Sequence, residues 1–374
     1  MHPAADRGLC LPFPGRPAMD DNRIERRRMP AFEKHITERS IFMKKTLVFT
    51  LVLCLALAAI PMASLAETYV LKIGHAQPEN NPRHISLLAF EKIVEEKTNG
   101  GIQVELFPLG TLGSEKEMLE MVKMGTLEGM RGGQFDFLPR LLVFTLPFLC
   151  ENPAQVQALM SSDIALSICK DAKKDNMLIL GLGNAGGFRH FSNNAHMIKT
   201  PEDLKGLKMR VPPIDTIDRT FKALGASTVS IPYGELYMAL KTGVADGQEN
   251  PAVNVEGMKF YEVQKYFTMV AYQFHPDPFY INLEWFGSLP AEYQQILRDA
   301  TLEMMKVNDQ AIADNETAAI DVIAKNAEVY YPTAEELQAF KDATESVYTD
   351  YIAEGLLTQE ELDAMRAIIA SVKE

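Results

Sequence analysis

From Pro290 to Asn326 the chain runs 37 residues with no internal Gly or Pro. Nothing in that stretch marks a helix end, so the pattern predicts one helix of about 55 Å. That is longer than one small domain is wide. Such an element either braces two domains or breaks at an unmarked kink, and it limits how the rest of the chain can pack. Two more helices open behind it, at the capping boxes Thr333-x-x-Glu336 and Thr358-x-x-Glu361.

Upstream, strand-like and helix-like segments alternate. "YVLKIGHA" (69–76) alternates as a strand, and "RHISLLAFEKIVEEKTNG" (83–100) has apolar residues at helical spacing up to an Asn-Gly stop. "IQVELF" is a strand, Ser114-x-x-Glu117 caps the next helix, a short strand is expected near 127–132, and "NMLILGLG" (176–183) is another strand. A second set follows. Thr200-Pro201-Glu202-Asp203 starts a short helix, "LKMRVP" (207–212) is a strand, "DTIDRTFKALGA" a helix, "STVSIP" a strand and "YGELYMALKTGVADG" a helix running into "QENP". "EVQKYFTMVAYQ" leads to a strand "PFYINLEWF". This β-α-β-α order implies α/β architecture with mostly parallel sheets covered by helices.

The N-terminus points to export. From Met43, Lys44 and Lys45 precede an apolar run, Leu47–Ile60, too short to span a membrane comfortably. Ser64-Leu65-Ala66 supplies small residues at the −3 and −1 positions of a cleavage site, so cleavage is expected after Ala66. A membrane anchor is the competing reading. Residues 1–42, rich in Arg and Pro, read as an upstream extension ahead of a true start at Met43. Arg26-Arg27-Arg28 lies too far from the apolar run for a twin-arginine signal, and Leu53 before Cys54 excludes a lipoprotein site.

Removing residues 1–66 takes away 10 Lys/Arg and 6 Asp/Glu and leaves a formal charge of −17. Such a surface repels nucleic acid and anionic lipid. Cys150 and Cys169 remain. An exported chain permits a disulfide between them, two unpaired thiols fit equally, and spacing does not choose. With five His and no other Cys in that part, a Cys/His metal cluster is not expected. No cofactor is expected either. Gly181-x-Gly183-x-x-Gly186 has the spacing of a dinucleotide loop, but "GFRHFSNN" follows with no helical period and no N-cap. The chain carries no G-x-S-x-G, HExxH or C-x-x-C, and Glu95–Glu96 and Glu360–Glu361 are adjacent residues that point differently on a helix. These absences argue against a secreted hydrolase.

The stretches "GFRHFSNN", "IKTPEDLKGLKMRVPP", "FKALGA", "IPYGELYMALKTGVADGQENP" and "KFYEVQKYF" resemble the substrate-binding proteins of tripartite ATP-independent periplasmic (TRAP) transporters, the dicarboxylate and sialic acid binders among them. "LKIGHAQPENNPRH" and "FPLGTLGSEKEMLEMVKMGTLE" fit as well, so the resemblance covers the chain after Ala66. It implies a periplasmic-binding-protein-like α/β fold, with two domains around a ligand cleft and a long helix spanning both. The expected organisation is 1–42 extension, 43–66 signal peptide, 67–187 plus 276–314 domain I, 188–275 domain II, and 315–374 C-terminal helices packing across both.

The implied activity is reversible capture of a small organic acid for delivery to membrane permease subunits, not catalysis, by a monomer in the periplasm. A sulfonate ligand or an ATP-driven transporter partner is the alternative.

The resemblance puts the family's carboxylate-binding arginine at Arg210 in "LKMRVP". A planar guanidinium fork matches both oxygens of a carboxylate. It puts a second arginine at Arg189, otherwise a hinge ion pair, a carboxylate-binding amide at Asn250, otherwise a cap, and an aromatic wall at Tyr233, otherwise core. Glu115 and Ala76 fall on first-domain positions that line the cleft. Where sialic acid binders carry an acid, this chain has Gly133 in "GMRGGQFDF", flanked by Arg131 and Gln134. An inward Arg131 would meet a second polar or anionic group, as in a dicarboxylate, hydroxy acid, keto acid or sulfonate. An outward Arg131 is a surface charge.

Overall fold

The computed structural model describes residues 43, 45–47, 49–51 and 68–372. The expected upstream extension and the cut after Ala66 lie outside them. Among the described residues no helix is long and apolar enough to cross a membrane. Residues 68–372 belong to one compact unit.

That unit is built on a nine-stranded mixed sheet. Its strands are β1 (Tyr69–Gly74), β2 (Ile102–Phe107), β3 (Gly129–Arg131), β4 (Met177–Asn193), β5 (Lys208–Val211), β6 (Ser227–Ser230), β7 (Gly247–Pro251), β8 (Tyr266–Asn282) and β9 (Glu328–Tyr330). The order is β2-β1-β3-β8-β4-β7-β5-β6, with β9 on β8. At one end β2, β1 and β3 run parallel, and at the other β7, β5 and β6 do. The two 17-residue strands β4 and β8 pair antiparallel and join these ends.

Sequence punctuation hid that pair. Gly181, Gly183, Gly186 and Gly187 in β4, and Pro276 and Pro278 in β8, ordinarily break strands. Here they fall in a ladder that is itself irregular. The register shifts between Ile179 and Gly181, between Asn184 and Phe188, and between Arg189 and Phe191. At the second shift Gly186 (φ 116°) and Gly187 (φ 98°) take conformations that L side chains rarely adopt, and both amides donate to Asn184 Oδ1 (3.1 and 2.7 Å). This is a bulge that bends a strand. No helix follows the glycines, so the dinucleotide spacing is coincidental.

Helices α1 (Pro82–Lys97) and α2 (Glu115–Met124) cover the first end of the sheet. The Ser114/Glu117 capping box of α2 is formed, as are those at Thr333 and Thr358. Thr200 opens only one 3-10 turn, Pro201–Leu204, because the chain must reach β5 within a few residues. The uninterrupted run is a single helix, α9 (Ala291–Asn326), about 54 Å long, following α3–α8 (Pro153–Met160, Asp163–Lys170, Asp215–Ala223, Leu236–Lys241, Ala252–Gly257 and Leu283–Ser288). Its first half packs Leu297, Ala300 and Met304 with Leu71, Ile73, Phe90 and Phe279, and its second half packs Ala319 and Ile323 with Leu236, Phe260 and Phe267. Each fully buried Leu, Ile or Met among them contributes roughly 1.5–3 kcal/mol, so α9 ties both ends of the sheet together. At its middle, Asn308 Nδ2 donates to the Asn184 carbonyl in the bulge (3.0 Å). Helices α10 (Ala334–Ala353) and α11 (Gln359–Ala370) complete the chain. Cys150 and Cys169 are not bonded to each other, and burial pushes both thiols up to about 12.

Candidate functional site

A cavity of about 460 Å³ opens where the parallel strands of both ends finish. The turns after β1 (Ala76, Gln77), β3 (Gly133, Gln134), β5 (Pro212, Pro213) and β6 (Pro232, Tyr233) all line it. Carboxyl ends of parallel strands are where α/β sheets leave room for ligands. Arg83, Glu115, Arg189, Arg210, Asn254 and His275 complete its polar wall.

Four arginines are almost fully buried here, and three of them have carboxylate partners. Arg83 forms a fork with Asp277, Nη2 to Oδ1 at 2.7 Å and Nε to Oδ2 at 3.1 Å, and its Nη1 reaches Glu115 Oε1 at 2.7 Å. Arg189 grips Glu249 through Nε and, at 2.8 Å, through Nη2; the Tyr272 hydroxyl donates to the same carboxylate at 2.7 Å. Burial alone would lower both guanidinium pKa values, but the paired acids win and hold Arg83 and Arg189 above their ordinary range.

Arg210 differs. It is 1% exposed, and Nε and Nη2 both donate to the Ile231 carbonyl (2.8 and 2.6 Å). Among the described buried arginines it alone has no carboxylate within ion-pair distance. Burial, opposed by Glu249 and reinforced by Arg189, lowers its pKa to about 10. At neutral pH it is still a cation, desolvated and paired only with a neutral dipole.

Of the residues expected from sequence, Arg210, Arg189, Tyr233, Glu115, Gln134 and Ala76 line this one cavity. Two expected contacts stand elsewhere. Arg131 does not line it. Its side chain is 0% exposed, turned beneath β4 against Gly183, with Nε 2.8 Å from Asp277 Oδ2 and Nη1 donating to Ser86 Oγ at 2.7 Å. Asp277 comes from β8, 146 positions away, and its pull could not be read from "GMRGG". Asn250 also lies behind the wall, where Oδ1 accepts from Arg189 Nη2 (3.2 Å) and Nδ2 donates to Gln248. It orients Arg189.

Arg83, Gln77, Asn254 and His275 escaped the sequence reading, although "QPENNPRH" held the first two within a matching stretch. Asn254 spans the cavity's base, accepting from Asn81 Nδ2 (2.9 Å) and donating to the Ala185 carbonyl (3.0 Å). His275 donates from Nε2 to the Gly133 carbonyl (3.0 Å), and burial, then Arg189, lowers its pKa to about 3.

The profile of the bacterial extracellular solute-binding protein family 7 matches residues 73–354. The 2,3-diketo-L-gulonate-binding periplasmic protein YiaO of Escherichia coli is 30% identical over 290 residues, covering 77% of this chain and 88% of that one. An uncharacterized protein, y4mM, of Sinorhizobium fredii is 33% identical over 57% of this chain, which spans only 40% of that longer relative. Among solved structures, a TRAP periplasmic solute-binding protein from Desulfovibrio salexigens with bound orotic acid superimposes with a TM-score of 0.77 at 31% identity, over 81% of this chain and 99% of that one. The fold, the cavity and these matches agree: the chain belongs to family 7 of the bacterial extracellular solute-binding proteins.

Proposed function

We propose that the chain is the exported receptor of a TRAP-type transporter, which captures a small organic acid and passes it unchanged to membrane permease subunits. The observation that carries this reading is Arg210. A buried guanidinium satisfied only by a carbonyl is costly unless an anion joins it. A carboxylate that accepts from its free N–H groups supplies the missing charge. The acids named for the E. coli relative and for the D. salexigens structure, diketogulonate and orotate, both carry a carboxylate.

In this reading Arg189, held by Glu249 and Asn250, fixes the floor of the carboxylate site. Tyr233, kept protonated by burial, gives an apolar flank, and Ala76, Gln134 and Glu115 frame the rest of the ligand. The first domain (67–187 with 276–314) and the second (188–275) close on the ligand about the β4 bulge. Closure gains stability only through contacts made to both. The receptor acts as a periplasmic monomer after cleavage behind Ala66.

The test is a thermal-shift panel of carboxylic, hydroxy, keto and sulfonic acids on residues 67–374. An acid present at 100 times its dissociation constant adds roughly 2.7 kcal/mol of stability. Silence across the whole panel sinks the reading.

A further inference from the structure

We infer that the cavity is built for a hydroxylated monocarboxylate of the aldonate kind and rejects the dicarboxylate of the same skeleton. This rests on Arg210 as the carboxylate ligand, and two features of the cavity carry it further.

The first is charge balance. Four buried guanidinium groups, Arg83, Arg131, Arg189 and Arg210, face three carboxylates, Asp277, Glu249 and Glu115, and every one of those carboxylates is already in an ion pair. One positive charge is left over, at Arg210. The other titratable groups at the cavity stay neutral, His275 and Tyr233 because burial disfavours their charged forms. At the mouth Lys116, 3.7 Å from Asp136, is outnumbered by the exposed acids Glu117, Glu235 and Asp136. Asp309 acts on Arg131 but lines a separate cavity and is exposed. One ligand charge therefore neutralises the site. A second would be buried without a partner, along a wall that already carries Glu115.

The second feature is the kind of hydrogen bond on offer. Glu115 lines the cavity with a side chain that is 20% exposed, and its carboxylate only accepts. A ligand hydroxyl brings it a proton. An ionised ligand carboxylate brings none, and meets it as a like charge facing an acceptor.

The experiment is isothermal titration calorimetry of residues 67–374 with matched pairs that differ only in a terminal CH₂OH or carboxylate, gluconate against glucarate and threonate against tartrate. The expected result is that the aldonate of whichever pair binds is at least tenfold tighter. Glu115→Gln should shrink that ratio severalfold by strengthening the diacid. Titration in two buffers of different ionisation heat should show the diacid taking up about one proton and the aldonate none. A diacid that binds as tightly as its aldonate with no proton uptake overturns the inference. So does a wider acid panel in which only diacids bind. If that binding still requires Arg210, the carboxylate-receptor reading survives. If no acid binds, both fall together.

Discussion

Removing the Glu249 carboxylate (Glu249→Ala) strands the Arg189 guanidinium inside the protein. Arg189 then keeps only the Glu249 carbonyl (3.1 Å) and Asn250 Oδ1 (3.2 Å), and the Tyr272 hydroxyl loses its acceptor. Breaking a buried pair from one side costs about 3–5 kcal/mol, because the remaining charge is uncompensated. For the 308 residues after Ala66 the unfolding entropy is roughly 0.6 kcal/mol/K, so Tm should fall by about 5–8 °C. The assay is differential scanning calorimetry at pH 7 without ligand. Glu249→Gln, which keeps an acceptor in place, should lose less and covers the case in which the Ala variant fails to fold. Arg189 borders the cavity, so an added anion can reach it: chloride or sulfate should raise Tm more in the Ala variant than in the parent. A fall under about 2 °C with no difference in salt response would refute the claim that this pair holds Arg189 in place.

Protonation gives a second check. Burial lowers the pKa of His275 to about 3 and that of His190 to about 4, so between those values and about 6.5 the unfolded chain binds more protons than the folded one. Stability should therefore be full above pH 6.5 and fall as pH drops through that window, by up to about 1.4 kcal/mol per pH unit for each histidine; His275→Gln should flatten the urea-derived slope. Gly186→Ala places a Cβ 2.9 Å from Asn254 Oδ1 at φ 116° and should cost roughly 1–3 kcal/mol in urea unfolding, whereas an unchanged midpoint would contradict the bulge. Ellman titration of residues 67–374 should find two thiols after denaturation and almost none reacting quickly before it. Finding no thiols after denaturation would mean that Cys150 and Cys169 pair.

Local pattern carried most of the architecture. Caps at Ser114, Thr333 and Thr358, the stop at Asn99-Gly100 and the unbroken run after Pro290 act within a few residues, and each produced the element it announced. The long strands were not legible, because Gly186 and Pro276 read as breaks until their partners across the sheet are known. The same limit applies at the site. Arg210 and Arg189 sit in distinctive stretches of sequence, but what separates them is whether an acid reaches the guanidinium. Asp277 comes to Arg83 from 194 positions away and Glu249 to Arg189 from 60. No spacing rule encodes those meetings, so Arg131 stayed open between a cleft contact and a surface charge until the fold gave it a buried carboxylate partner.

The most direct test is therefore calorimetric affinity for the best acid of the panel, measured on the parent and on Arg210→Ala. Because Arg210 has no carboxylate partner, its removal should leave the ligand-free Tm undiminished. Binding should weaken by about 2–5 kcal/mol, from roughly thirtyfold to several thousandfold. An Arg210→Ala variant that is folded and binds the acid within threefold of the parent would contradict the account.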